Sequence, residues 1–291
     1  MRSFLFVPGD SSKKQEKGLT SGADCLFLDL EDSVALTEKA NARNIVHDFI
    51  VAARSLTQRP KLYVRVNALD TDLIDADLDA VMPAAPDGIL LPKAISGASI
   101  QHLGAKLAVR EAECGHDDGA TRILAIANET AASIFHMGTF TGASQRLLGL
   151  TWGAEDLAAD LGAETNRASE GGYTAPFALA RSLTLFAAQA AGVAAIDTVY
   201  ANFRDMDGFR VECLAARRDG YVGKMAIHPA QVAVINEVFT PDEAAIARAQ
   251  AIVAAFEANP GAGVIAVAGQ MLDKPHWLRA KRLLERAALV G

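Results

Sequence analysis

Cysteine is scarce in this chain. Cys25, Cys114 and Cys213 are scattered and form no CxxC pair. That excludes a disulfide framework and fits a reducing cytoplasm. Positive charge is in deficit as well. The formal net charge is −7, without the basic footprint of a nucleic-acid binder. No apolar run approaches the ~20 residues of a membrane span, and the five-residue apolar run near the N-terminus is too short for a signal-peptide core. The expectation is a cytoplasmic protein with neither nucleic acid nor membrane as partner. Common catalytic signatures are also missing. There is no HExxH and no GxSxG, and Gly223-Lys224 has neither the upstream glycine nor the following Ser/Thr of a phosphate loop.

What is abundant is apolar sequence in short pieces. Of 291 residues, 51% are hydrophobic, enough for the large core of an α/β barrel of ~250 residues. Apolar runs fall at residues 4–7, 25–30, 62–66, 89–91, 123–127, 147–152, 197–201 and 224–227. They are continuous rather than alternating, as in parallel strands buried on both faces. Helix-like segments lie between them, at residues 11–21, 37–54, 98–114, 131–140 and 176–192. The pattern predicts an α/β fold, a (β/α)8 TIM barrel with a C-terminal helical extension. A doubly wound open sheet is the alternative. The barrel is expected over residues 1–235. Residues 236–291 are expected to extend it and to pack on the barrel or on a neighbouring subunit, with a helix at 241–259 capped by Thr240, a short apolar run at 264–268 and a last helix at 274–289.

In such a barrel the chemistry sits where strands end at their C-terminal side. This filter selects Asp29, Glu31 and Asp32, then Arg65 and Asn67, Lys93, Asn128 and Glu129, Glu155 and Asp156, Asn202 and His228. Glu129 and Asp156 follow adjacent strands, so both carboxylates can converge on a hard cation such as Mg²⁺. Each can equally stabilise the helix that follows it. Arg65 ends an otherwise apolar strand and needs a carboxylate, from Asp29 or Glu31 or from a ligand. Lys93 suits a structural or phosphate-facing role better than a Schiff base. Lys13, Lys14 and Lys17 form a basic first helix, a solvated face or a pyrophosphate contact.

Read together, LFVPG (5–9), SGADCLFLDLEDSV (21–34), RVN (65–67), LPK (91–93), ANETA (127–131), GLTWGAEDLAADLGA (149–163), GKMAIHPAQV (223–232) and GQMLDKPHWLRAKRLL (269–284) resemble the citrate lyase β-subunit-like family of the HpcH/HpaI aldolase superfamily. That family includes malyl-CoA and citramalyl-CoA lyases. The resemblance implies Mg²⁺ on Glu129 and Asp156, with Glu31 and Asp32 near its water shell. It implies a keto-acid carboxylate on Arg65, with Asn67 and Lys93 assigned to substrate contact. Coenzyme A, as part of the substrate, is assigned to Lys13 and Lys14 and to Ile227, His228 and Pro229. Asp273, from a neighbouring subunit of a homotrimer, is the implied acid or base.

The activity so implied is Mg²⁺-dependent cleavage of an acyl-CoA thioester (citramalyl-CoA, malyl-CoA or citryl-CoA) to acetyl-CoA and a small 2-keto acid, or the reverse condensation. The alternatives are a β subunit acting on a carrier-protein thioester within a complex, a CoA-independent keto-acid aldolase, a malyl-CoA thioesterase and a non-catalytic interaction barrel.

Overall fold

Eight of the apolar segments become eight parallel strands, and the strands close on themselves. The computed structural model describes residues 1–169 and 171–288. Its strands are β1 (Ser3–Pro8), β2 (Cys25–Asp29), β3 (Lys61–Arg65), β4 (Gly88–Leu91), β5 (Arg122–Ile126), β6 (Leu147–Thr151), β7 (Ala194–Asp197) and β8 (Gly223–Ala226). Each pairs with the next, and β8 returns to β1 through Ser3↔Lys224 and Leu5↔Ala226. That last pairing rules out the open sheet and makes the molecule the expected (β/α)8 barrel with a C-terminal helical extension.

Both faces of the sheet are buried, which is why its strands read as unbroken apolar runs. Inward, Phe4, Phe27, Tyr63, Leu124, Ile196 and Met225 fill the barrel, with Phe4 stacked on Phe27 at 5.5 Å. Outward, residues such as Leu5, Leu26, Val64, Leu91 and Leu150 meet the helices. These are α1 (Ser12–Leu19), α2 (Lys39–Arg54), α3 (Ile74–Val81), α4 (Gly97–Cys114), α5 (Ala131–Ile134), α6 (Ala154–Leu161), α7 (Ala175–Ala191), α8 (Met206–Asp219) and α9 (Pro229–Phe239). A filled interior leaves the ends of the strands as the place for a ligand.

Three local expectations are corrected. The seventh strand is Ala194–Asp197 rather than 197–201. It opens with two alanines that follow an Ala-rich helix, and alanine is a poor strand former, so sequence does not mark the strand's start. The helix expected at 131–140 breaks into α5, four residues long, and a 3-10 turn at Met137–Phe140, where Gly138 and Thr139 are weak helix formers. The helix after Thr240 is capped by Asp242, whose carboxylate accepts from the Ala245 N–H at 2.7 Å.

The C-terminal part consists of α10 (Glu243–Glu257), the hairpin strands β9 (Val264–Val267) and β10 (Gln270–Asp273), and α11 (Lys274–Ala288). Residue 289, the expected end of the last helix, lies outside the described residues. The hairpin turns through Ala268 and Gly269, both with positive φ (48° and 76°), as a two-residue turn between antiparallel strands requires. Ala249, Ile252, Ile265, Leu272 and Ala280 form a small core of its own. Among the described residues no helix is long and apolar enough to cross a membrane.

Candidate active site

The C-terminal ends of the strands surround a cavity of about 290 Å³. Its two sides differ in chemistry. Asp29, Arg65, Glu129, Glu155 and Asp156 line one arc; Phe6, Pro8, Thr198, Val199, Met225 and Ile227 line the other.

Asp29 and Arg65 are cross-strand neighbours in register on β2 and β3. Arg65 grips Asp29 with two parallel hydrogen bonds, Nε to Oδ1 at 2.7 Å and Nη2 to Oδ2 at 2.6 Å. Its Nη1 lies 3.0 Å from Glu31 Oε2 and 3.6 Å from Asp32 Oδ2. The guanidinium also covers the Phe6 ring at 4.9 Å. Burial opposes the charge on Asp29, but the paired guanidinium outweighs it and holds the carboxyl below its usual range. Asp29 thus fixes Arg65. The second terminal nitrogen, Nη1, is turned to Glu31 and Asp32 at the cavity.

Glu31 is buried too, and burial raises its carboxyl above the ordinary value despite Arg65 and Lys93. Lys93 Nζ donates to Glu31 Oε1 at 2.9 Å and stands 4.0 Å from Asp156 Oδ1. Although burial works against its charge, Glu31 raises the Lys93 pKa. A lysine held protonated is a poor Schiff-base nucleophile. Lys93 also has a left-handed backbone, φ 50°, and its N–H donates to Glu129 Oε2.

Glu129 caps nothing: α5 is capped by Thr130, whose hydroxyl accepts from the Ser133 N–H. The Glu129 side chain instead turns into the barrel mouth against Gly153, where any Cβ would lie 2.7 Å from Glu129 Cγ. Burial, and then the negative charge of Asp156, push the Glu129 carboxyl well above its usual range. Asp156 lies in the first turn of α6, beside the cavity and half-exposed. The helix-stabilising position and the site position coincide there.

This cluster is rich in anions. Asp29, Glu31, Asp32, Glu129 and Asp156 share Arg65 and Lys93. Buried Glu31 Oε2 has only the ion contact with Arg65 and no hydrogen bond. No group of three or more His, Cys, Asp or Glu is poised to hold a metal among the described residues. Two carboxylates, Glu129 and Asp156, do converge. That matches a Mg²⁺ site completed by waters and ligand oxygens rather than by an all-protein cage.

The remaining expected residues divide. Ile227 lines the cavity. His228 caps α9 through Nδ1, Pro229 begins that helix, and the imidazole stacks on Phe203 at 4.9 Å. Lys13 and Lys14 are exposed on α1. Asn67 is buried, with its amide N–H groups on Leu30 O at 3.1 Å and Asp77 Oδ2 at 2.7 Å, where it braces the β3 loop. Asp273, at the end of β10, is half-exposed and bonded to His276 Nδ1. It is not among the residues lining the cavity of its own chain. The sequence reading passed over Gly153, although its place between an apolar strand and two acids was a signal, and over Thr198.

Comparison with known proteins decides the family. Residues 2–229 match the HpcH/HpaI aldolase/citrate lyase family model. The chain belongs to this family. The expected resemblance and the expectation of a carbon–carbon lyase-type enzyme both hold. Citrate lyase subunit beta of Leuconostoc mesenteroides is 36% identical over 98% of this chain and 93% of its own length. A (3S)-malyl-CoA thioesterase of Cereibacter sphaeroides is 34% identical over 100% of this chain and 95% of its own. Among solved structures, Mycobacterium tuberculosis CitE in complex with magnesium, acetoacetate and coenzyme A superposes with a TM-score of 0.78. It is 32% identical and covers 99% of this chain and 98% of its own.

Proposed function

We propose that this family member is a Mg²⁺-dependent lyase. It cleaves a short 3-hydroxyacyl-CoA thioester of the malyl, citramalyl or citryl type to acetyl-CoA and a 2-keto acid, and it can run the reverse condensation. The observation that carries this reading is the excess of carboxylates over cations around a closed-ended cavity. The cavity lies at the lower end of the ~300–1,000 Å³ of small-molecule sites, so it suits the acid portion of such a thioester, with the CoA portion extending over the rim. The complexes of the M. tuberculosis CitE structures with magnesium, coenzyme A, pyruvate or oxaloacetate support it.

In this assignment Glu129 and Asp156 hold the metal, which when bound supplies Lewis-acid polarisation of the substrate's hydroxyl and carboxylate oxygens. Arg65, fixed by Asp29, orients the substrate carboxylate. Glu31 and Asp32 would accept hydrogen bonds from water beside a bound metal, and Lys93 ties Glu31 to the Asp156 side. The 3-hydroxyl gives up its proton, the carbon–carbon bond breaks, and its electrons pass to the thioester as an enolate. One proton returned to the methyl carbon completes the balance. Asp273 of a neighbouring subunit in a homotrimer is assigned that transfer. Its hydrogen bond with His276 holds its carboxyl low.

The test is cleavage of malyl-CoA, citramalyl-CoA and citryl-CoA with Mg²⁺ and with EDTA. Release of acetyl-CoA and keto acid only with Mg²⁺ is the expected result. Release of free CoA and intact hydroxy acid would instead place this chain with its thioesterase relative. Inactivity on all three overturns the proposal in favour of a carrier-bound thioester or a CoA-free aldolase. Asp273→Asn should lower kcat ~10²–10⁴-fold and leave Mg²⁺ affinity unchanged.

A further inference from the structure

The apolar arc of the cavity carries one polar side chain. Thr198 follows β7, inward-facing in step with Ile196, and is fully buried. Its hydroxyl has no hydrogen-bond partner. An unpaired buried hydroxyl destabilises a fold, whereas valine has nearly the same shape without that cost. The neighbours along the wall, Val199, Met225, Ile227, Phe6 and Pro8, provide no side-chain donor and no acceptor stronger than the Met225 thioether. Thr151 on β6 is similarly buried and unpartnered, but it is not among the cavity-lining residues.

A ligand held by Arg65 through its carboxylate points its other end at this arc. There it meets a surface suited to an uncharged group with one oxygen to be hydrogen-bonded. We propose that Thr198 is a catalytic residue whose hydroxyl donates to the thioester carbonyl oxygen of the substrate. This rests on the lyase reading given above. As the carbon–carbon bond breaks, that oxygen takes up negative charge, and a donor already in place in an apolar wall gains strength with it. No proton leaves Thr198. The hydroxyacyl thioester supplies every atom of the two products, and the enolate receives its proton at carbon from elsewhere.

The experiment uses full-length protein, its Thr198→Val and Thr198→Ser variants, and Thr151→Val as a control. Thermal melts, steady-state cleavage of the preferred thioester and calorimetric binding of acetyl-CoA and of S-ethyl-CoA, which lacks the carbonyl, are measured on each. Thr198→Val should melt no lower than wild type yet lose ~10²-fold in kcat, the scale of one oxyanion donor. It should also lose the wild-type preference for acetyl-CoA over S-ethyl-CoA. Serine should restore most of both, and Thr151→Val should change neither. A wild-type rate in Thr198→Val, or a kcat loss accompanied by a lower melting temperature and an intact preference, overturns the assignment while leaving the lyase reading in place. A wild-type enzyme that neither cleaves any thioester nor binds acetyl-CoA overturns both.

Discussion

Two charge clusters stand on opposite faces of the sheet, one behind β6–β8 and the other at the mouth of β2–β6. Outside the barrel, Lys224 is wholly buried and donates to Asp197 at 3.1 Å and Glu212 at 2.7 Å. Arg181 adds a second cation to Asp197, Arg167 adds one to Glu212, and Trp152 Nε1 donates to Asp197 at 2.9 Å. Every acid there has a base, and the cluster ties β6, β7, β8, α7 and α8 together. Inside, at the barrel mouth, five acids share two bases, and two of those acids are held above their ordinary pKa. Asp197 and Thr198 are consecutive residues, the first turned to the balanced cluster and the second to the cavity. The outer cluster is complete within the chain. On the proposed assignment a cation and a ligand complete the inner one.

The largest expected effects come from exchanging the two fates. Lys224→Ala strands Asp197 and Glu212 in the interior and should cost about 3–5 kcal/mol in urea unfolding. Glu129→Gln removes a charge that burial and Asp156 already oppose. It should leave the unfolding midpoint unchanged or higher, while Mg²⁺-dependent turnover falls more than ~100-fold, beyond the loss from an outer-sphere partner. Equal destabilisation by the two would erase the distinction between the clusters.

A second balanced pair sharpens the comparison through pH. Glu111 and Arg146 are buried together, with two bonds of 2.7 Å. Burial opposes the Glu111 charge, but Arg146 and the N–H groups of Thr121 and Gly119 outweigh it and hold the carboxyl at about 2, from 4.5. The folded carboxyl is the stronger acid, so its contribution is present above pH ~4.5 and is lost as pH falls towards 2. It amounts to about 3 kcal/mol. Glu111→Gln should be markedly less stable than wild type at pH 6, and the gap should close by pH 2. A gap independent of pH would deny the pair its electrostatic role.

The smallest effect probes shape. Gly153→Ala forces the Glu129 side chain away and should weaken apparent Mg²⁺ affinity ~10-fold, at a stability cost of about 1 kcal/mol. Unchanged affinity would show that the carboxylate position is not set by that glycine.

The barrel and its charged arc were legible in sequence for the same reason. Strands buried on both faces are apolar until they reach the mouth, so the first charges after each run, from Asp29 to Asp156, mark the site. Asn67 passed the same filter, but its bond to Asp77 was not legible, because α3, a helix of eight residues, was not revealed by sequence periodicity. Thr198 was missed because β7 was expected three residues late. That shift placed Thr198 inside a strand instead of at its end. The outer cluster was invisible for a different reason: its members are spread from Trp152 to Lys224 and become neighbours only when β6, β7 and β8 pair and α7 and α8 pack on them.

The C-terminal hairpin and helices, with a core of their own, carry Asp273 away from the cavity of their own chain. The proposed assignment therefore makes a working site the joint product of two polypeptides, with a genetic signature. Glu129→Gln and Asp273→Asn proteins, each inactive alone, should regain activity when their subunits are dissociated and reassembled together. Some mixed assemblies will then pair an intact mouth with an intact Asp273.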